Sequence, residues 1–166
     1  MKKILGNIII ILYVAVAIFT TICLLNFNEY KVSQFGDKTF VIIDKEEEGI
    51  KYKKGDLVIV GKEGYTEANA GDTLFFYDHD GIKIAEIKKK NDFGEAGVTF
   101  SIDGNFQVVN EDVIGTSNNV KTISKVGTVL SVLQSKWGFL FLIVFPSLLA
   151  FLHEIYEFIL EITNKK

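Results

Sequence analysis

Glu46-Glu47-Glu48 is the densest run of potential ligand groups in the sequence. Three carboxylates offer hard oxygen ligands to a cation, but neighbours on an extended chain point to opposite faces, and a solvated charge run is the plainer reading. His79 and His153 have no ligand partner at metal-site spacing, so no metal and no cofactor are expected. Lys83, Lys88, Lys89 and Lys90 gather around one apolar run and read first as a solvated cluster flanking a strand. Glu154, Glu157 and Glu161 recur at spacings of three and four, on one face of a helix. They could meet a partner's cation or end a membrane span at the headgroups. Cys23, the single cysteine, excludes an intramolecular disulfide or a cysteine metal site and reads as a small apolar residue or, alternatively, a palmitoylation site.

These residues are carried on three parts of the chain. From Ile4 to Leu25 the sequence is apolar and uncharged for more than the roughly 20 residues that cross a hydrocarbon core, which predicts a transmembrane helix. A cleaved signal peptide is the alternative, since Lys2 and Lys3 make a basic start and Ala15-Val16-Ala17 has the small-x-small form of a cleavage site. The apolar run continues well past that point. A second run extends from Trp137 to about Ile162, with Trp137 and Tyr156 suited to the two interfaces and Pro146 expected to kink the helix. Lys2 and Lys3 before the first span and Lys165 and Lys166 after the second put both termini in the cytoplasm, and the central segment outside. The predicted division is a transmembrane helix over 1–27, an extracytoplasmic β domain over 28–134, and a transmembrane helix with a short cytoplasmic tail over 135–166. The membrane is therefore the first expected partner. With no arginine and only scattered lysines there is no basic stripe for nucleic acid, which is excluded as a partner.

In the central segment, short β-branched and aromatic stretches recur between turn signals: Thr39 to Ile43, Asp56 to Val60, Thr73 to Tyr77, Ile82 to Ile87, Val98 to Ile102 and Lys121 to Leu130. Val98, Phe100 and Ile102 alternate with polar residues, and Asp78-His79-Asp80-Gly81 reads as a hairpin turn. Gly55-Asp56 and Gly71-Asp72 each place a turn before a strand. Many short strands with glycine turns predict a mainly β fold, a curled sheet or open barrel, and no stretch here has the length and period of a buried helix.

In order along the chain, Lys54-Gly55-Asp56-Leu57-Val58-Ile59-Val60, Ala70-Gly71-Asp72-Thr73-Leu74-Phe75-Phe76, Gly81 with Lys83-Ile84-Ala85-Glu86-Ile87, Phe100 to Asn105, Val113-Ile114-Gly115 and a Gly127 turn before the last span resemble signal peptidase I. The resemblance is to the branch shared by archaea, endospore formers and the endoplasmic reticulum. It implies a serine peptidase fold, but the catalytic positions depart. Glu47 stands where the family has its nucleophilic serine, Ile82 where it has its general-base histidine, and Asn105 and Asn110 where it has acidic residues. Serine attack on an amide needs a base to take the hydroxyl proton and a group to orient that base. Isoleucine takes no proton. Because bacterial members use a lysine as base, Lys83 with Ser33 or Ser101 is the weak alternative for retained chemistry.

Three functions follow as expectations. The first is a non-catalytic signal-peptidase-like protein that binds secreted or membrane-anchored polypeptides as an added strand. Its pairing surface would lie at Asp56, Leu57, Val58, Ile59 and Val60 and at Ile82, Lys83 and Ile84. The second is an active signal peptidase with a relocated dyad. The third is a scaffold subunit that joins other secretion or assembly proteins through its helices, by Glu154, Glu157 or the polar Thr20 and Thr21.

Overall fold

The computed structural model describes residues 2–46, 49–79, 81–94, 97–102 and 106–164, and side chains from 6 to 163 among these. Glu47, Glu48, Asp80, Asn105, Lys165 and Lys166 lie outside the described residues. The chain divides into two compact units, one formed by Met1–Thr21 and Leu130–Lys166 and the other by Ile22–Val129.

The first unit is helical. It holds most of helix α1 (Lys2–Leu25), the second half of α2 (Val126–Gln134), α3 (Lys136–Phe139), a π-helical turn at Leu140–Val144 and α4 (Phe145–Asn164), while the last turn of α1 and the first of α2 belong to the other unit. Gly6–Leu25 and Lys136–Thr163, 20 and 28 residues long, have the length and apolar composition to cross a membrane. A core helix of a soluble protein buries its apolar stripe. Here only 11% and 6% of the two apolar windows are buried, and Ile11, Leu25 and Phe158 stand open. Ser135 breaks the chain between α2 and α3 and caps the latter, its Oγ accepting the Gly138 N–H at 3.0 Å. Pro146 is the second residue of α4, directly after the π turn. It brings no N–H and its ring crowds the preceding turn, which widens the helix there.

The β unit holds three antiparallel sheets. Strands β1 (Gln34–Phe35), β2 (Lys38–Ile42), β3 (Leu57–Gly61) and β10 (Val120–Ile123) form the first, in the order β1-β2-β3-β10. Strands β4 (Thr73–Asp78), β5 (Gly81–Glu86) and β9 (Val113–Thr116) form the second, ordered β5-β4-β9. Strands β6 (Lys89–Asp92), β7 (Val98–Ser101) and β8 (Gln107–Val108) form the third. The second sheet lies between two cores. Phe75 and Ile114 face Val41, Ile43, Val58 and Val60, while Leu74, Phe76 and Val113 face Val98, Phe100 and Val108. A strand covered on both faces needs an unbroken apolar run, and Leu74-Phe75-Phe76 supplies one.

The two glycine-aspartate steps form the same turn. Gly55 and Gly71 have φ of +89° and +96°, where a side chain would be strained. Asp56 Oδ2 accepts the Lys53 N–H at 3.1 Å, and Asp72 Oδ2 accepts the Asn69 N–H at 2.9 Å. Gly55 donates to the Ile43 carbonyl and Ile43 to that of Asp56, and Gly71 and Asp72 make the same exchange with Ile87. One device thus opens both β3 and β4.

The expected strand from Lys121 to Leu130 is corrected: β10 ends at Ile123, and the chain turns through Lys125 (φ +65°) into α2. A helix therefore stands in the segment predicted to have none, and Gly127, expected as a turn, is the second residue of α2. It sits where a Cβ would lie 2.5 Å from the Asp56 carbonyl oxygen.

Candidate functional site

The β4–β5 hairpin carries three of the expected residues, Ile82, Lys83 and Ile84. Its register pairs Asp78 with Gly81, Tyr77 with Ile82, Phe76 with Lys83 and Phe75 with Ile84. Alternation sends Lys83 to the face of Phe76, and Ile82 and Ile84 to the opposite face with Phe75 and Tyr77. Ile82, which the resemblance to signal peptidase I sets at the expected base position, is thus a half-buried residue packed on the Val58–Phe75 core. Lys83 is 51% exposed and forms an ion pair with Asp78. The hydrogen bond from Lys83 and a second from the His79 N–H, at 2.8 Å, hold the Asp78 carboxyl below the usual carboxylate range.

Backbone parity defines the free side of this hairpin. In a two-residue loop the closing pair, Asp78 and Gly81, is hydrogen-bonded, so Lys83 and Ala85 also bond β4. Ile87 continues this parity by donating to Asp72 at 2.8 Å. The N–H and C=O of Ile82, Ile84 and Glu86 then point away from β4, and β5 has no second neighbour in its sheet among the described residues. Beside this edge, Tyr30 stacks on Tyr77 with ring centres 4.2 Å apart, and Asn28 Nδ2 donates to the Tyr77 hydroxyl at 2.7 Å. Burial pushes the Tyr77 phenol up, against the opposing effect of hydrogen bonds from Thr39 and Asn28.

The second expected pairing surface is corrected. Strand β3 is central, with Val60, Ile59, Val58 and Leu57 paired to β2 on one side and to β10 on the other. No backbone edge is left there for a peptide. Asp56 is 7% exposed and its carboxylate closes the turn with Lys53. Leu57, Val58 and Val60 are core residues.

Neither serine belongs to the β5-β4-β9 sheet. Ser33, 2% exposed, lies just before β1 and donates through Oγ to the Cys23 carbonyl at 3.1 Å. Ser101 is on β7, in the third sheet, where its Oγ accepts from Asn91 Nδ2 at 3.3 Å. Asn110, expected at an acidic position of the family, accepts the Val98 N–H through Oδ1 at 3.1 Å and so braces the start of β7. The lysine cluster makes local ties: Lys88 pairs with Glu86 at 3.2 Å, and Lys90 donates to the Thr66 carbonyl. His153 and Glu157 form a pair one helical turn apart, at 3.8 Å.

Two groups of residues are not evident from the sequence. Asp78 has the signature of a turn former, and its role as partner of Lys83 depends on the tight turn that pairs Asp78 with Gly81. Tyr13 and Ser147, single polar residues inside apolar runs, are joined across the two long helices at 3.0 Å. Their isolation in the apolar runs was the available signal. Comparison with family models, with curated proteins and with solved structures found no match for the chain.

Proposed function

We propose that this protein is a membrane-anchored, non-catalytic relative of signal peptidase I that holds extended segments of secreted or membrane-anchored polypeptides against the outer edge of β5. The observation that carries this reading is the edge itself. Ile82, Ile84 and Glu86 turn their backbone groups outward along an edge strand, with apolar side chains on one face and Lys83 on the other. A peptide added there gains main-chain hydrogen bonds, and alternate side chains meet the two faces. Clients with apolar residues at every second position fit best.

The absence of peptidase chemistry is supported by the site residues. Lys83 is engaged in an ion pair with the Asp78 carboxylate. The candidate serines belong to other parts of the fold. The two long helices act as membrane spans with both termini in the cytoplasm and the β unit outside, and an impermeant thiol reagent on intact cells should label a cysteine placed at Asp92.

Strand addition is tested with Ile84→Pro, which removes an outward N–H while leaving the β4 ladder intact. A photo-cross-linking residue at Glu86 should capture a client peptide, and Ile84→Pro should reduce capture about tenfold, as expected for losing roughly 1.4 kcal/mol of edge pairing. Capture at Ile59 of the central strand β3 that equals capture at Glu86 would contradict the reading.

A further inference from the structure

Inside the helical unit, three polar groups meet at one carbonyl. The Tyr13 hydroxyl donates to the Ile143 carbonyl oxygen at 2.8 Å, the Ser147 Oγ donates to the same oxygen at 2.7 Å, and the two hydroxyls are 3.0 Å apart. One carbonyl with two lone pairs accepts both protons. Ile143 lies in the π-helical turn, and Pro146 follows it without an N–H. The helix ladder is therefore altered where the polar contacts gather. Pro and π turns are also the recognised causes of helix bending.

The position of this triangle along the two spans is as informative as its bonds. Taking the two long helices as spans, Tyr13 lies about 10 Å along its helix from Gly6, and Ser147 about 15 Å along its own from Trp137, at about 1.5 Å per residue. Both fall near the middle of a hydrocarbon core about 30 Å thick. A hydroxyl there has no water to turn to, so it stays with a protein acceptor or remains unsatisfied.

We infer that Tyr13, Ser147 and the Ile143 carbonyl form a latch on a hinge in the C-terminal span. Closed, the Tyr13 hydroxyl from α1 holds the π turn and so pairs the two spans. Released, the segment before Pro146 bends relative to α4 and the spans part. The device rests on the reading of both helices as membrane spans.

The test uses the full chain carrying Cys23→Ala in phospholipid nanodiscs, with spin labels at Ile9 and Phe151, both outward-facing and four residues from the latch on each helix. In the parent the interhelical distance should be narrow and single. Tyr13→Phe keeps the ring and removes the hydroxyl, and it should raise the population at longer distance about three- to twentyfold, the span measured for interhelical hydrogen bonds in bilayers. Ser147→Ala should act in the same direction, while Ser147→Thr, which keeps a hydroxyl, should restore the parent distribution. A second label pair at Trp137 and Phe151 should broaden with the first, because the bend lies between them. Unchanged distributions for both Tyr13→Phe and Ser147→Ala in bilayer-embedded protein overturn the latch. A chain that alkaline carbonate strips from the bilayer overturns the span reading instead.

Discussion

At the scale of single residues, Tyr52 is a buried side chain of the β unit whose hydroxyl has no hydrogen-bond partner among the described residues. It is 3% exposed, and its ring lies 5.3 Å from that of Phe75. Burial raises its phenol accordingly. An unsatisfied buried hydroxyl costs about 1–3 kcal/mol, so Tyr52→Phe, which keeps the ring packing, should raise the unfolding free energy by about 1 kcal/mol in denaturant titrations of the full chain. A loss of stability would mean that the hydroxyl has a partner. Asp78 makes the opposite kind of contribution. Its carboxyl is depressed in the folded state by Lys83 and the His79 N–H. A depressed acid stabilises the fold above its unfolded pKa, about 4, and that contribution disappears as pH falls through the folded value. Thermal melts at pH 6 and pH 3 should therefore differ more for the parent than for Asp78→Asn. Equal differences would remove the ion pair from the account of the hairpin.

At the scale of elements, the turns that open β3 and β4 show how closely the chain depends on small residues. A Cβ on Gly127, at the start of α2, would lie 2.5 Å from the Asp56 carbonyl oxygen and 2.8 Å from that of Gly55, and the Thr128 N–H donates to the Gly55 carbonyl at 3.1 Å. Gly127→Ala should force this backbone apart and cost about 1–3 kcal/mol, read as a lower denaturation midpoint, whereas alanine at Gly6, with open space around it, should not. The strands that contain apolar runs after a glycine-aspartate step were legible in the sequence, because turn chemistry and burial point to the same register. Others were not. Lys89-Lys90-Asn91-Asp92 has no strand-like composition and is a strand because β7 pairs with it along its whole length. β8 has only two residues, too few to show a period. Val126, Val129 and Leu130 looked like the continuation of β10, but Lys125 in the left-handed region redirects the chain into a helix. The site was partly legible in the same way: Ile82 and Lys83 could be placed on a strand, but that β5 is an edge and β3 is central is a property of strand order, which no local pattern carries.

At the scale of the whole molecule, two apolar helices of membrane-crossing length accompany a mainly β unit in which β5 is one of the edge strands and carries Ile82 and Lys83. Lys83, Ser33 and Ser101 each bond to other groups, and the proposed function needs from β5 only its outward backbone groups. The two properties separate cleanly in one measurement, because removing the nucleophile or base of a hydrolase lowers its rate by about 10⁴ to 10⁶, while backbone pairing does not depend on those side chains. The full chain in bilayers is incubated with a labelled preprotein, and both cleavage and photo-cross-linking at Glu86 are followed. Capture at β5 with no cleavage above background is expected, unchanged by Lys83→Ala, Ser33→Ala or Ser101→Ala. Cleavage at the signal site that one of these substitutions abolishes would contradict this and would identify the residue altered as part of an active dyad.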